Sequence, residues 1–283
     1  MVDVSLDVAP GEVVGIAGPN GAGKTTIIAM LMGFLNPTSG TLTIAGQTPR
    51  RYVERHGVAY LPELMALMKT WRVNAALRRL ATLDGVPHGE VATEVQRVID
   101  LVEIGEHRRK QMRALSKGNF QRVGLAQALL RDRDVVIFDE PTHGLDPVWT
   151  NRFRSVVANL RQPGRAIIIA SHNLDELERV ADRVAIIDKG RIQRVVSVRG
   201  AQDTGTRAYR LRVMGDSTMI PAAFPGATLV ADGEFTVPAI SVAELNASLQ
   251  AALAAGAQVT SLAPSESALE TEFHAAVGAG GSR

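Results

Sequence analysis

Three kinds of apolar spacing run along this chain. Consecutive apolar residues occur at Val13-Val14-Gly15-Ile16-Ala17, at Val135-Val136-Ile137-Phe138 and at Ile167-Ile168-Ile169. Short uninterrupted runs of this kind mark strands buried on both faces. Apolar residues three to four apart mark helices over 73–83 and 89–104, as in Val91, Val95, Val98, Leu101 and Val102. Further helices are expected over Thr25–Leu35, over Phe120–Leu130 and near 148–160. Asn173 and Glu176 would cap another. Strict alternation appears in Val2–Val8 and Thr41–Ala45, which predicts strands with one wet face. A short strand over 56–61 runs into a loop marked by Pro62, and 184–193 reads as a hairpin turning at Asp188-Lys189-Gly190.

Buried strands alternating with helices predict an α/β fold with a mainly parallel sheet covered on both faces. The alternating segments predict a partial antiparallel sheet beside it. The stretch 64–114 reads as a helical insertion.

The pattern changes near residue 200. Tyr209–Val213, Thr228–Ala231, Phe235–Val237 and Gln258–Leu262 are short strand candidates separated by Gly and Pro. Ser241 with Glu244, and Ser267 with Glu270, would cap two helices, the first reaching about Ala255. The expected organisation is a large domain over 1–200, a linker over 201–207 and a small α/β domain over 208–283 with a loose tail from Gly278. No internal repeat is visible.

Composition narrows the picture. The 283 residues are 46% hydrophobic and 21% charged, with a net charge of +2, so charge gives no indication of a nucleic-acid partner. There are no cysteines, which excludes disulfides and thiolate-bound metals. No apolar run approaches the roughly 18 residues of a membrane span, and Met1–Ser5 has neither the basic region nor the apolar core of a signal peptide.

The stretch most specific for chemistry is Gly18-Pro19-Asn20-Gly21-Ala22-Gly23-Lys24-Thr25-Thr26. It matches G-x-x-x-x-G-K-[ST], a loop whose backbone N–H groups cradle phosphates. A buried strand precedes it and a helix follows, which is the context the motif requires. Lys24 can reach the β and γ phosphates, and the Thr25 hydroxyl can ligate Mg²⁺. Asp139, ending a buried strand, can hold Mg²⁺ through water, and Glu140 can polarise or deprotonate an attacking water. His172 follows another buried strand and can bond a γ-phosphate. His56, His88, His107 and His143 are given no catalytic role.

The order GPNGAGKTT (18–26), LSKGN (115–119), VVIFDE (135–140), GLDP (144–147) and SH (171–172) resembles the ATP-binding subunit of an ABC transporter over about residues 2–200. The resemblance implies a P-loop NTPase core, ATP and Mg²⁺ as ligands, and ATP hydrolysis at the cytoplasmic face of the membrane. It also implies a separate integral membrane permease subunit and a head-to-tail homodimer in the ATP-bound state. Ser116, Gly118 and Asn119 of one copy would meet the nucleotide held by Lys24 of the other, and Asp146 would couple the two sites.

Three departures stand out. Lys117 and Asn119 alter the usual LSGGQ. Glu63 occupies the place of a glutamine, where it is expected to ligate Mg²⁺ or, alternatively, to cap a following helix. Leu-Pro-Glu (61–63) together with Leu-Ser-Lys-Gly (115–118) resembles a bacterial exporter subgroup. Finally, none of the 17 residues before Gly18 is the aromatic that stacks on adenine in the family, so weak ATP affinity is expected. Leu64, Met65, Leu67, Met68 and Trp71 read as part core and part groove for a partner helix. The C-terminal domain reads as a dimer-stabilising appendage without a ligand. The rival readings are a soluble ATPase of the same family and a nucleotide-dependent regulatory module that does not hydrolyse.

Overall fold

The structure is a computed structural model describing residues 1–198, 207–239, 241–264 and 268–278. The chain forms two compact units, residues 1–199 with 276–283 and residues 200–275.

The larger unit is built on a six-stranded sheet. Its strands are β1 (Val13–Ala17), β2 (Ala59–Leu61), β3 (Val135–Asp139), β4 (Ala166–Ser171), β5 (Arg183–Asp188) and β6 (Arg191–Ser197), in the order β2-β3-β4-β1-β5-β6. The first five are mutually parallel, and β6 returns antiparallel as the expected hairpin. Every residue of β1 and β3 is buried, as uninterrupted apolar runs require. Helices α1 (Lys24–Leu31), α2 (Pro49–His56), α3 (Val73–Leu83), α4 (Val91–Leu101), α5 (Lys117–Ala128), α6 (Pro147–Leu160) and α7 (Leu174–Val180) make the connections. Phe138 of β3 meets Phe153 of α6 edge to face at 5.7 Å, so sheet and helix interlock directly under the end of β3.

Register decides what the sheet presents. Ala17 pairs with Ser171, and Ala170 pairs with Asp139. Three central strands therefore end level, and Gly18, Glu140 and His172 leave the same edge. Because β1 lies between β4 and β5, the chain diverges there, which is where open α/β sheets place their ligands.

Several expectations need correction. Val2–Val8 and Thr41–Ala45 do not form strands. Val2 N–H donates to the Gly190 carbonyl, and Ile44 bridges only to Gln47. Val4, Val8 and Ile44 do lean on the core beneath α1. Alternation thus reported one apolar face, but a strand also needs a laddered neighbour, and these segments have none. Antiparallel pairing in this unit is, among the described residues, the β5–β6 ladder and the isolated bridges Ile44–Gln47 and Arg72–Gln111. Helix α1 ends at Leu31 rather than Leu35, because Gly33 takes φ +72° with the α2 backbone at Arg50 against it. Residues 64–72 are irregular and the insertion becomes helical only at Val73, so Glu63 caps no helix. Helix α2 was not anticipated: its sequence is polar, burying only Tyr52, and Pro49 at its first turn was the available signal.

The smaller unit is an antiparallel sheet of β7 (Arg207–Met214), β8 (Thr228–Ala231), β9 (Glu234–Ala239) and β10 (Gln258–Pro264) in the order β10-β7-β9-β8. Helices α8 (Ile220–Ala223) and α9 (Val242–Ala254) supply core residues against Leu211, Val213, Phe235 and Val237. On the other face of β7, Arg210 and Arg212 both pair with Glu234 at 3.2 Å. Ser241 caps α9 by accepting the Glu244 N–H at 3.1 Å. Helix α10 (Ala268–Gly278) follows. The expected cap at Ser267, residues 201–206 of the expected linker and the tail beyond Gly278 lie outside the described residues.

Candidate functional site

The loop between β1 and α1 is tight and ends on an open helix. A Cβ on Gly18 would overlap the Ile187 carbonyl oxygen, so only glycine lets the loop pass β5. Gly23 precedes α1 with φ +113° and supplies no side-chain cap. The first-turn N–H groups of α1 therefore face the loop, which is the arrangement that attracts an anion. Lys24 is only 7% exposed. Its Nζ donates to the Gly18 carbonyl at 2.8 Å and the Pro19 carbonyl at 3.4 Å, and lies 3.5 Å from Glu140 Oε1. Met1 sets its sulfur against Gly23.

Asp139 stands across from Thr25, whose hydroxyl donates to Oδ2 at 3.2 Å. The other oxygen, Oδ1, is buried with no hydrogen-bond partner. Burial pushes the Asp139 carboxyl up to about 6, opposed by the Thr25 hydrogen bond, reinforced by the charges of Glu63 and Glu140, and opposed again by Lys24. An orphaned carboxylate oxygen beside a hydroxyl is an all-oxygen donor set, which fits Mg²⁺. Among the described residues no three His, Cys, Asp or Glu side chains gather to hold a metal by themselves. Mg²⁺ commonly takes one or two carboxylates and completes its shell with water and phosphate. Glu63 is exposed on the loop after β2 and reaches Asp139 only through its charge.

Glu140 sits at φ +47°, a backbone region that non-glycine residues seldom occupy and that recurs at functional sites. Four donors surround its carboxylate. Ser171 Oγ lies at 3.2 Å, the His172 N–H at 3.0 Å, His172 Nδ1 at 2.8 Å, and Lys24 Nζ at 3.5 Å. The Glu140 side chain is 6% exposed whereas that of His172 is 54% exposed, so the pair joins a buried carboxylate to solvent. Beneath it, Glu176 accepts a short hydrogen bond from Thr142, and burial raises the Glu176 carboxyl. Asn173 caps α7 as expected, but Glu176 turns to Thr142 rather than completing a capping box.

The loop 115–119 belongs to a second group. Ser116 caps α5 by accepting the Asn119 N–H at 3.2 Å. Asn119 Oδ1 accepts from Arg122 at 3.0 Å, and Arg122 lies over the Trp149 ring at 4.2 Å. Asp146 caps α6 by accepting the Trp149 N–H at 2.9 Å. Gln121, buried, donates to the carbonyls of Glu140 at 3.3 Å and Pro141 at 3.1 Å. The structure thus brings Lys24, Thr25, Asp139, Glu140 and His172 together. It gathers Ser116, Gly118, Asn119 and Asp146 separately, with no hydrogen bond from these four to the loop 18–26 among the described residues. Sequence reasoning missed Ser171 and Gln121. Gln121 is a polar residue among buried neighbours of α5 (Val123, Gly124, Leu125), and that was its only signal.

An uncapped helix behind a glycine loop, a strand-end aspartate on the hydroxyl that follows the lysine, and a glutamate one residue on define a P-loop nucleotide-binding protein of the α/β class. Within that class the chain belongs to the ABC transporter family, whose model matches residues 1–143. It is 37% identical over 193 residues to an uncharacterised ABC transporter ATP-binding protein of Nostoc sp., covering 66% of this chain and 57% of the relative. It is 35% identical over 191 residues to the Nod factor export ATP-binding protein I of Cupriavidus metallidurans, covering 67% and 63%. The chain thus spans only a little over half the length of these relatives. Its fold is similar to that of a bacterial ABC transporter cassette solved as a dimer, with a TM-score of 0.64 at 20% identity, covering 70% of this chain and 90% of the other.

Proposed function

We propose that this chain hydrolyses ATP to drive transport through a separate membrane permease. The observation that supports this most is Glu140, buried and held in a strained backbone position against Lys24 and His172 while Asp139 meets Thr25. On binding, the first-turn N–H groups of α1 take the phosphates, and Lys24 exchanges the Gly18 carbonyl and Glu140 for the β and γ oxygens. Thr25, Asp139 and Glu63 would hold Mg²⁺, Asp139 through water, and the ion would supply charge neutralisation for the transferring phosphoryl group. Glu140, released from Lys24, orients a water and takes its proton, and His172 Nδ1 keeps the carboxylate aimed.

Ser116, Gly118 and Asn119 lie apart from their own copy's phosphate loop. In this reading they complete the site of a second copy, which makes ATP the agent of dimerisation and hydrolysis the agent of release. The cassette is residues 1–200 with its insertion at 64–114. The C-terminal part, 208–283, stabilises the dimer. Met65, Ala66, Leu67, Met68, Leu115 and Phe120 line an open groove suited to a permease helix, with Leu64 exposed beside it. Among the described residues no helix is long and apolar enough to cross a membrane. In this reading the permease is a separate chain, and this subunit works at the cytoplasmic face, as the family resemblance implies. Export is the proposed direction, supported by the subgroup resemblance and by the name of the Cupriavidus relative.

The test is ATP turnover by the purified chain beside Glu140→Gln. Loss of a general base at Glu140 should lower turnover by about 100-fold or more while ATP still binds. Equal turnover in the two proteins would remove Glu140 from the reaction and return the chain to a regulatory reading.

A further inference from the structure

Lys117 is the first residue of α5, at the head of the loop proposed to meet a second copy's nucleotide. A cation there is disfavoured by the helix's own field, so its place needs a reason. The side chain lies flat across the loop that follows β3. Its Cγ, Cδ and Cε come within 2.8–3.0 Å of where a Cβ on Gly144 would sit, and Gly144 takes φ +80°. Its ammonium meets Nε2 of His143, the one ring nitrogen of a neutral imidazole able to accept when Nδ1 carries the proton. Gly118 closes on the same place, an added Cβ falling 3.0 Å from the Gly144 carbonyl. One turn along α5, Gln121 holds the carbonyls of Glu140 and Pro141. The segment 140–146 therefore hangs on α5 at two points. Gln121 fixes the Glu140 end, and Lys117 fixes the end that carries Asp146.

We propose that Lys117 is a positioning residue for ATP hydrolysis. Its stem on Gly144 and its ammonium on His143 tie the loop 115–119 to the loop 141–146. Engagement of Ser116 and Gly118 by nucleotide on the partner copy is thereby passed to Glu140 of the same chain. This rests on the reading of the chain as an ATPase completed by a second copy. Lys117 and His143 are both exposed, and exposed pairs contribute little to folding stability. The link should thus register in turnover and not in melting.

The experiment uses the full chain and compares Lys117→Met, Lys117→Arg, His143→Ala and the Lys117→Met/His143→Ala double variant. Turnover gives kcat and KM, and a fluorescent ATP analogue gives the dissociation constant. Lys117→Met keeps the stem and loses the ammonium. It should lower kcat by about tenfold with KM, nucleotide affinity and melting temperature near those of the parent. Lys117→Arg should recover most of the loss, and the double variant should be no slower than Lys117→Met, since both remove one link. A raised KM or weakened nucleotide binding at unchanged kcat would overturn the proposal and make Lys117 a phosphate contact. Independent, multiplying losses from positions 117 and 143 would overturn it as well. Failure of the underlying reading shows separately, as a parent chain whose turnover is absent or indifferent to Glu140→Gln.

Discussion

Asp139→Asn should make the metal-free, nucleotide-free protein more stable at neutral pH, although it disables the site. Burial raises the Asp139 carboxyl from its usual 3.8 to about 6. A raised acid holds its proton more tightly in the folded chain than in the unfolded one. The contribution of this one group to stability is then greatest below pH 4, falls as pH rises from about 4 to about 6, and stays low above. Each pKa unit is worth about 1.4 kcal/mol, so ionised Asp139 costs the empty fold about 3 kcal/mol at pH 8. Asparagine keeps an oxygen for the Thr25 hydroxyl and carries no charge. Urea unfolding of both proteins with chelator present, at pH 4 and pH 8, measures the difference. The variant should be about 3 kcal/mol more stable at pH 8 and nearly equal at pH 4. With Mg²⁺ and ATP added the order should reverse, because the parent gains ligands that the variant cannot hold. A variant less stable at pH 8, or a gap unchanged between the two pH values, would refute the argument that desolvation of Asp139 is the strain the metal relieves.

Three further changes probe the surroundings of the site. Gly18→Ala places a methyl group into the Ile187 carbonyl and should cost at least 2 kcal/mol or so, read by urea denaturation, whereas Gly21→Ala meets open space and should cost only about 1–2 kcal/mol for its φ of +81°. His172→Ala leaves Ser171 Oγ and the backbone N–H on the Glu140 carboxylate but removes the donor at 2.8 Å; turnover should fall by about tenfold or more with ATP affinity, measured by equilibrium binding, nearly unchanged.

What the sequence disclosed follows from what is local in it. The strands β1, β3 and β4 are runs buried on both faces, and each stops at a residue that leaves the sheet: Gly18, Glu140 and His172. Strand pairing then puts the three stops level, so the phosphate loop and the two acids could be read before the fold was known. Val2–Val8 and Thr41–Ala45 misled because alternation specifies a face and says nothing of a hydrogen-bonding neighbour. The polar contacts that hold the site were invisible for a different reason. Ser171 to Glu140 and Gln121 to Pro141 join residues 31 and 20 apart in sequence. The bond from His172 to Glu140 and the Lys117 contact with His143 are likewise tertiary, and no spacing rule marks their ends. The left-handed backbone of Glu140 has no sequence signal either, since the residue is not a glycine or asparagine.

The central claim is that two copies of the chain share each ATP. The most direct measurement is the solution mass of Glu140→Gln with ATP and Mg²⁺, set against the same protein with ADP. A shared site gives a dimer with ATP and a monomer with ADP, the dimer lost in Ser116→Arg. A chain that binds ATP and Mg²⁺ yet keeps the mass of one copy would contradict it.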